Sequence, residues 1–172
     1  HLSTGQLWDV INAYRLGVHK LALMFGLGTD DAHNYHDLAV GQSNTGRGWV
    51  MVRAKSLTPE SIIAAMERGD FYASSGVAVD GIRLARSTYS FRIQPEKGVT
   101  YTTWFIGTRK NFKSSPDLAK RNSLKPSEAG IGEILGQSQS LEPSYTFNGD
   151  ELYVRAEIMA SKKKANPYAA GE

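Results

Sequence analysis

The chain has 172 residues, 41% of them hydrophobic, which suits one ordinary globular domain or two small ones. Lys and Arg outnumber Asp and Glu by only 20 to 17, so the charge does not predict nucleic-acid binding. Cysteine is absent, which excludes disulfides, thiolate zinc sites and cysteine nucleophiles, and leaves His, Asp and Glu as metal ligands. No apolar run approaches the roughly 20 residues of a membrane span, so we expect no membrane partner.

The first predicted element is an amphipathic helix that ends near Gly17. Ser3 and Thr4 are good N-cap residues at its start. The apolar residues behind them recur at helical spacing: Leu7, Trp8, Val10, Ile11 and Tyr14. We expect this helix to pack against another part of the fold.

A continuous apolar run from Leu21 to Gly28 follows the helix. Its length and composition are typical of a parallel strand that is buried on both faces. A polar loop from Thr29 to Arg47 comes next.

Residues 49–76 predict a strand, a helix and a second strand. The first strand begins at Trp49, and Thr58 and Pro59 are typical of the N-cap and first position of a helix. The second strand covers Phe71 to Ser74 and ends at Gly76. This order favours a parallel α/β unit, so we predict an α/β part in residues 1–76 and a domain boundary near Gly76.

From Val77 onward apolar and polar residues alternate, as they do in half-exposed strands. The alternating segments are residues 82–85, 89–93, 100–106 and 151–158. They predict a small antiparallel, sandwich-like β-rich domain over residues 77–172. Residues 110–141 are rich in Ser, Lys, Pro and Gly, and predict a polar excursion with one helical turn within residues 127–135.

The loop after the apolar run contains the candidate metal ligands Asp31 and His33. In parallel α/β folds, ligands bind where strands end, and in extended backbone side chains two residues apart point the same way. A carboxylate oxygen and an imidazole nitrogen would then converge on one cation. Asp30, His36 and Asp37 are candidates to orient the imidazole through its second nitrogen. The alternative is an ordinary polar loop whose Asp and His side chains bond to the backbone.

Arg47 and Arg53 are candidate contacts for an anionic substrate, because guanidinium groups pair well with phosphate and carboxylate. The alternative is that both are basic residues beside a strand that face solvent. Lys162 to Lys164 form a short basic run, which is typical of a solvated segment and does not predict nucleic-acid binding.

Three stretches are notable together: Gly28-Thr-Asp-Asp-Ala-His33, Gly46 to Ala54, and Leu57 to Gly76. They resemble the C-terminal part of a PHP domain, the polymerase and histidinol phosphatase superfamily. The resemblance is to its stand-alone metal-dependent phosphoesterases and carbaryl-hydrolase-like (CehA/McbA-like) proteins, in which a β-rich tail follows the barrel. Phe105 to Thr108 and Tyr153 to Arg155 resemble that tail.

The resemblance implies a distorted, TIM-like (β/α)7 barrel with two or three divalent metal ions. Their identity stays open, because His and carboxylate ligands accept zinc, manganese or iron. It maps an Asp-x-His ligand pair onto Asp31 and His33. The early His-x-His motif of the family, and its further His and Glu ligands, are absent from this sequence, so the chain alone cannot build the full cluster. The implied activity of an intact parent protein is hydrolysis of a small-molecule ester, of the phosphoesterase type, by metal-activated water.

Two other functions stay open on the sequence. The β-rich part could bind a carbohydrate or a partner protein while the α/β part is only a scaffold, or the chain could be an inert proteolytic remnant. The chain opens at His1 without a methionine, so we expect a fragment or a processed product. The absence of cysteine is compatible with an exported, periplasmic or extracellular protein.

Overall fold

A computed structural model of the protein describes residues 2–114 and 126–171. Its helices are α1 (Thr4–Ala13), which a π-helical segment (Tyr14–Val18) extends, α2 (Pro59–Glu67), and a 3-10 turn (Pro126–Ala129). Its strands are β1 (Trp49–Val52), β2 (Phe71–Ser74), β3 (Val79–Leu84), β4 (Thr88–Ile93), β5 (Tyr101–Arg109), β6 (Glu133–Ser138), β7 (Ser144–Thr146) and β8 (Glu151–Ala160). None of the helices in the described ranges has both the length and the apolar character that a membrane crossing requires.

The chain divides into two compact units. The β-rich unit comprises His1–Met24 and Val79–Ala160, and the loop unit comprises Phe25–Ala78 and Ser161–Glu172. The chain passes from the loop unit to the β-rich unit between Ala78 and Val79, close to the boundary predicted near Gly76. The first helix belongs to the β-rich unit.

Two three-stranded antiparallel sheets form the β-rich unit, in the orders β3-β4-β7 and β6-β5-β8. The strands predicted from alternation in this part of the chain are confirmed. The ring of Phe105 on β5 lies 6.3 Å from that of Phe91 on β4 and 5.5 Å from that of Tyr145 on β7. Phe105 is almost completely buried, and a buried ring of this size contributes roughly 1.5–3 kcal/mol. The aromatic contacts therefore hold the two sheets together as a small sandwich.

Helix α1 begins at the predicted cap. The Ser3 hydroxyl accepts from the Gln6 N–H at 3.2 Å, and the Gln6 side chain accepts from the Ser3 N–H at 2.9 Å. The π-helical segment continues to Val18, one residue beyond the predicted end. The buried positions of the helix include the polar residues Asp9 and Asn12, whose hydrogen bonds make their burial tolerable.

The predicted TIM-like (β/α)7 barrel is wrong. Within residues 2–114 and 126–171 the protein is an all-β fold of three small antiparallel sheets with two short α-helices. The predicted parallel α/β unit fails because β1 and β2 are antiparallel, with Trp49 opposite Ser74 and Val52 opposite Phe71. Helix α2 has Thr58 as its N-cap, as predicted, and the chain leaves it at Gly69, whose φ is +76°. Strand β2 runs back along β1.

The apolar run from Leu21 to Gly28 is not a strand, which corrects the second element of the barrel prediction. Leu21 and Leu27 are exposed. The Met24 N–H donates to Asn12 Oδ1 at 2.8 Å, and Asn12 Nδ2 donates to the Met24 carbonyl at 3.2 Å. A side chain from α1 thus takes the main-chain groups that a neighbouring strand would otherwise pair.

The polar excursion predicted over residues 110–141 is interrupted by regular structure. Strand β6 lies within it and pairs with β5, and the 3-10 turn lies near the predicted helical turn. Ile131 is buried against Ala13 of α1, which anchors the start of β6. The part of the predicted excursion at 115–125 lies outside the described residues.

Candidate metal-binding loop

The loop of residues 29–47 precedes β1 in the loop unit. The main-chain N–H groups of His33 and Asn34 both donate to the Ser43 carbonyl, at 2.8 and 2.9 Å. The carboxylate of Asp30 accepts from the Gly46 N–H at 2.6 Å. These bonds join the two arms of the loop and define its shape, since residues 29–47 contain no helix or strand.

The ring of His33 is oriented by a main-chain group. Its Nδ1 lies 2.6 Å from the carbonyl oxygen of Asp31. A carbonyl oxygen only accepts hydrogen bonds, so Nδ1 bears the hydrogen, and Nε2 of the neutral ring keeps its lone pair. His33 is exposed. This tautomer is the one that binds a metal ion through Nε2.

The backbone at Asp31 is in the left-handed region, with φ of +48°. Side chains two residues apart point the same way only in extended backbone, so the predicted alignment of Asp31 with His33 does not apply at this position. The turn at Asp31 instead brings its carbonyl to the ring two residues on. Asp31 is exposed, and its carboxylate remains a candidate ligand.

The orienting role expected of Asp30, His36 or Asp37 is performed by the Asp31 carbonyl. The Asp30 carboxylate bonds to Gly46, the Asp37 carbonyl accepts from the side chain of Asn44, and His36 is exposed. In the part of the chain that the structure describes, no three His, Asp or Glu side chains come together to hold a metal ion.

Asn44, which the sequence analysis does not single out, is the centre of the loop. It is fully buried, and Nδ2 donates to the carbonyls of Asn34 at 2.9 Å and Asp37 at 2.8 Å. Its Oδ1 accepts from the Ala39 N–H at 3.1 Å and from Arg47 Nη2 at 2.8 Å. One side-chain amide thus satisfies its full hydrogen-bonding capacity within the loop. No local sequence pattern distinguishes this Asn from others in polar loops.

Arg47, a candidate substrate contact, is only 9% exposed. Its guanidinium donates to the carbonyls of Gln42 and Ala39 as well as to Asn44. The guanidinium, which would be the group to bind an anion, is therefore occupied by bonds that stabilise the loop.

Arg53, the other candidate substrate contact, lies just after β1. Its Nη2 pairs with Asp70 Oδ1 at 2.8 Å, and its side chain is 74% exposed. Hydrogen bonds from Arg53 and then Arg68 lower the pKa of Asp70. The Arg53 N–H also donates to the Asp70 carbonyl at 2.8 Å, so the two residues join the ends of β1 and β2.

Comparison of the chain with protein-family models, curated proteins and solved structures gave no match. The resemblance to the PHP superfamily therefore stays a prediction. A functional assignment depends on the chemistry of residues 29–47 themselves.

Proposed function

We propose that residues 29–47 form one arm of a divalent-metal site in a metal-dependent hydrolase of the phosphoesterase type. His33 binds the ion through Nε2, and Asp31 binds it through its carboxylate. The remaining ligands come from polypeptide outside these residues, and the substrate is a small-molecule ester.

The observation that supports this proposal is the hydrogen bond between His33 Nδ1 and the Asp31 carbonyl. Metal-binding histidines nearly always donate their other ring N–H to a carbonyl or carboxylate, which sets the tautomer and the ring orientation. In this loop the same bond is made within three residues, while the backbone of His33 is held by Ser43. The imidazole is therefore oriented before any ion binds.

The donor set suits the proposed ions. An imidazole nitrogen and a carboxylate oxygen are ligands that zinc, manganese and iron accept. A bound divalent ion supplies an activated water and polarises the ester. This chain contributes one neutral nitrogen ligand and one anionic oxygen ligand. At least one further protein ligand must complete a catalytic site.

The first test is metal binding by the chain itself. Zn²⁺ is titrated into isotope-labelled protein near neutral pH, and long-range ¹H–¹⁵N spectra report the ring nitrogens of each histidine. We expect the Nδ1–H tautomer at His33 before zinc is added, and the first shift at its Nε2 afterwards. His33→Ala removes the response, Asp31→Ala weakens binding by about tenfold or more, and the control His36→Ala leaves it unchanged.

The second test is hydrolysis by the full-length polypeptide that contains this chain. We expect Asp31→Ala and His33→Ala to abolish hydrolysis of a generic phosphodiester, bis(p-nitrophenyl) phosphate, while His36→Ala retains it. Equal zinc responses from all histidines, or full activity in His33→Ala, would overturn the proposal and favour a non-catalytic binding module.

A further inference from the structure

Three residues near the end of the chain, Asn166, Pro167 and Tyr168, contact the loop of residues 29–47 within the same unit. We call them the C-terminal clamp. The carbonyl of Asn166 accepts from Arg47 Nε at 2.8 Å, and its Oδ1 accepts from Nη2 at 3.0 Å. The Pro167 carbonyl accepts from Nη2 at 2.9 Å, and the Gly41 N–H donates to the Tyr168 carbonyl at 2.8 Å. The clamp therefore binds the loop through both side-chain and main-chain groups.

The charge of Arg47 makes the clamp important for the loop. A buried guanidinium loses its water and must be solvated by protein oxygens. Three carbonyl or amide oxygens come from the loop and three come from the clamp. The ring of Tyr168 adds a cation-π contact, with its centroid 5.7 Å from Cζ of Arg47. Without the clamp, the guanidinium loses three of the six oxygens that solvate it.

We infer that the C-terminal clamp positions the metal ligand His33, and that Arg47 and Asn44 are the positioning residues that connect them. This inference rests on the proposed function of the loop. Arg47 Nη2 fixes Oδ1 of Asn44, and Asn44 Nδ2 fixes the carbonyl of Asn34, the neighbour of His33 in the chain. When the clamp detaches, His33 loses the backbone geometry that keeps Nδ1 on the Asp31 carbonyl.

The experiment compares four variants of the full chain. Arg47→Met removes the guanidinium at similar length, and Asn166→Ala removes one clamp oxygen together with the Nδ2 donor to the Thr45 carbonyl. Asn166→Asp keeps an oxygen there and serves as the conservative rescue. Lys163→Ala, an exposed change in the same segment, is the matched control.

Three quantities are measured for each variant: hydrogen exchange of residues 33–47, the His33 tautomer in the absence of metal, and zinc affinity at His33. In Arg47→Met we expect faster exchange, a mixed tautomer, and zinc affinity lower by on the order of ten- to a hundredfold. Asn166→Ala shifts all three in the same direction by less, whereas Asn166→Asp and Lys163→Ala resemble the unaltered chain.

The outcomes separate this inference from the proposed function. If exchange quickens while the tautomer and the zinc affinity stay unchanged, the positioning role is overturned. If the unaltered chain binds no zinc at His33, the proposed function fails and the positioning role fails with it, although exchange and tautomer still show whether the clamp orders the loop. If Arg47→Met does not fold, the comparison of Asn166→Ala with Asn166→Asp decides, and identical spectra for those two would overturn the inference.

Discussion

Arg155 on β8 binds Asp9 on α1 through two hydrogen bonds, Nε to Oδ1 and Nη2 to Oδ2, each 2.9 Å long. The Tyr153 hydroxyl donates to the same Oδ1 at 2.9 Å, and Asp9 is 2% exposed. Burial opposes the charge of Arg155, but its hydrogen bonds to Asp9 and Glu157 outweigh burial and raise its pKa. The pair joins the first helix of the β-rich unit to its last strand.

Asp9→Ala should destabilise the β-rich unit strongly. Removing the carboxylate leaves the guanidinium of Arg155 without its main partner in a largely buried place, so we expect the free energy of unfolding to fall by about 3 kcal/mol. Urea denaturation followed by tryptophan fluorescence measures this loss. Glu157→Gln is the control, because Glu157 also contacts Arg155 but its side chain is 53% exposed, and we expect a change within about 0.5 kcal/mol. Equal losses in the two variants would contradict the importance of the buried pair.

Gly132→Ala should destabilise the same region. Gly132 has φ of +66°, and an added Cβ would lie 2.7 Å from Asp9 Oδ2. Left-handed strain and displacement of the Asp9 carboxylate together predict a loss of about 2–4 kcal/mol. Gly149→Ala is the matched control, since its φ is +90° but a Cβ there meets nothing within 4 Å, so only about 1–2 kcal/mol of strain is expected. Thermal denaturation compares the two, and a larger loss for Gly149→Ala would refute the steric argument.

Glu151 should make stability depend on acidic pH. Burial opposes its charge, but hydrogen bonds from the Asn148 N–H, the Tyr145 hydroxyl and the Gly149 N–H lower its pKa from 4.5 to about 2. A carboxyl group with a lower pKa in the folded state contributes stability that is fully present above about pH 4.5 and is lost as the pH falls towards 2. Urea unfolding across this window should show a steeper loss for the unaltered chain than for Glu151→Gln. Parallel profiles would show that the network does not favour the ionised form.

Asn44→Ala should loosen the loop of residues 29–47. The substitution removes the acceptor of the Ala39 N–H, one acceptor of Arg47 Nη2, and the donor to the Asn34 and Asp37 carbonyls, so we expect a loss of about 2–3 kcal/mol in the loop unit. Hydrogen exchange of residues 34–44 should quicken accordingly. Gln42→Ala is the control, because Gln42 contacts Arg47 through its main-chain carbonyl and its own side chain is not part of that bond. Unchanged exchange in Asn44→Ala would show that other contacts hold the loop.

Much of the local structure was predictable because its causes lie within a few residues. Ser3 caps α1, and Thr58 caps α2, whose first residue is Pro59, as their side-chain chemistry requires. Alternation marked the end of β4 and the first half of β5, where buried positions alternate with more exposed ones. Pairing direction was not predictable, since it depends on how the two strands meet when the chain folds.

The candidate site likewise has features that the local sequence predicts and features that it does not. A local motif identified His33 as a candidate ligand, and the hydrogen bond that orients its ring spans only two residues. The role of Arg47 could not be predicted, because half of its hydrogen-bond acceptors come from residues about 120 positions later in the chain. The expected extended backbone at Asp31 failed because its φ is positive, which spacing alone does not reveal.

The sequence by itself determined the helix starts, the half-buried strands, and a loop in which Asp31 and His33 lie two residues apart. Capping, alternation and ligand type act over a few residues, so the order of residues is enough to specify them. Only the tertiary structure decided that β1 and β2 are antiparallel, that Leu21 to Gly28 is not a strand, and that a distant segment solvates Arg47. Those outcomes depend on which distant groups satisfy buried charges and main-chain hydrogen bonds, and that choice is made when the whole chain folds.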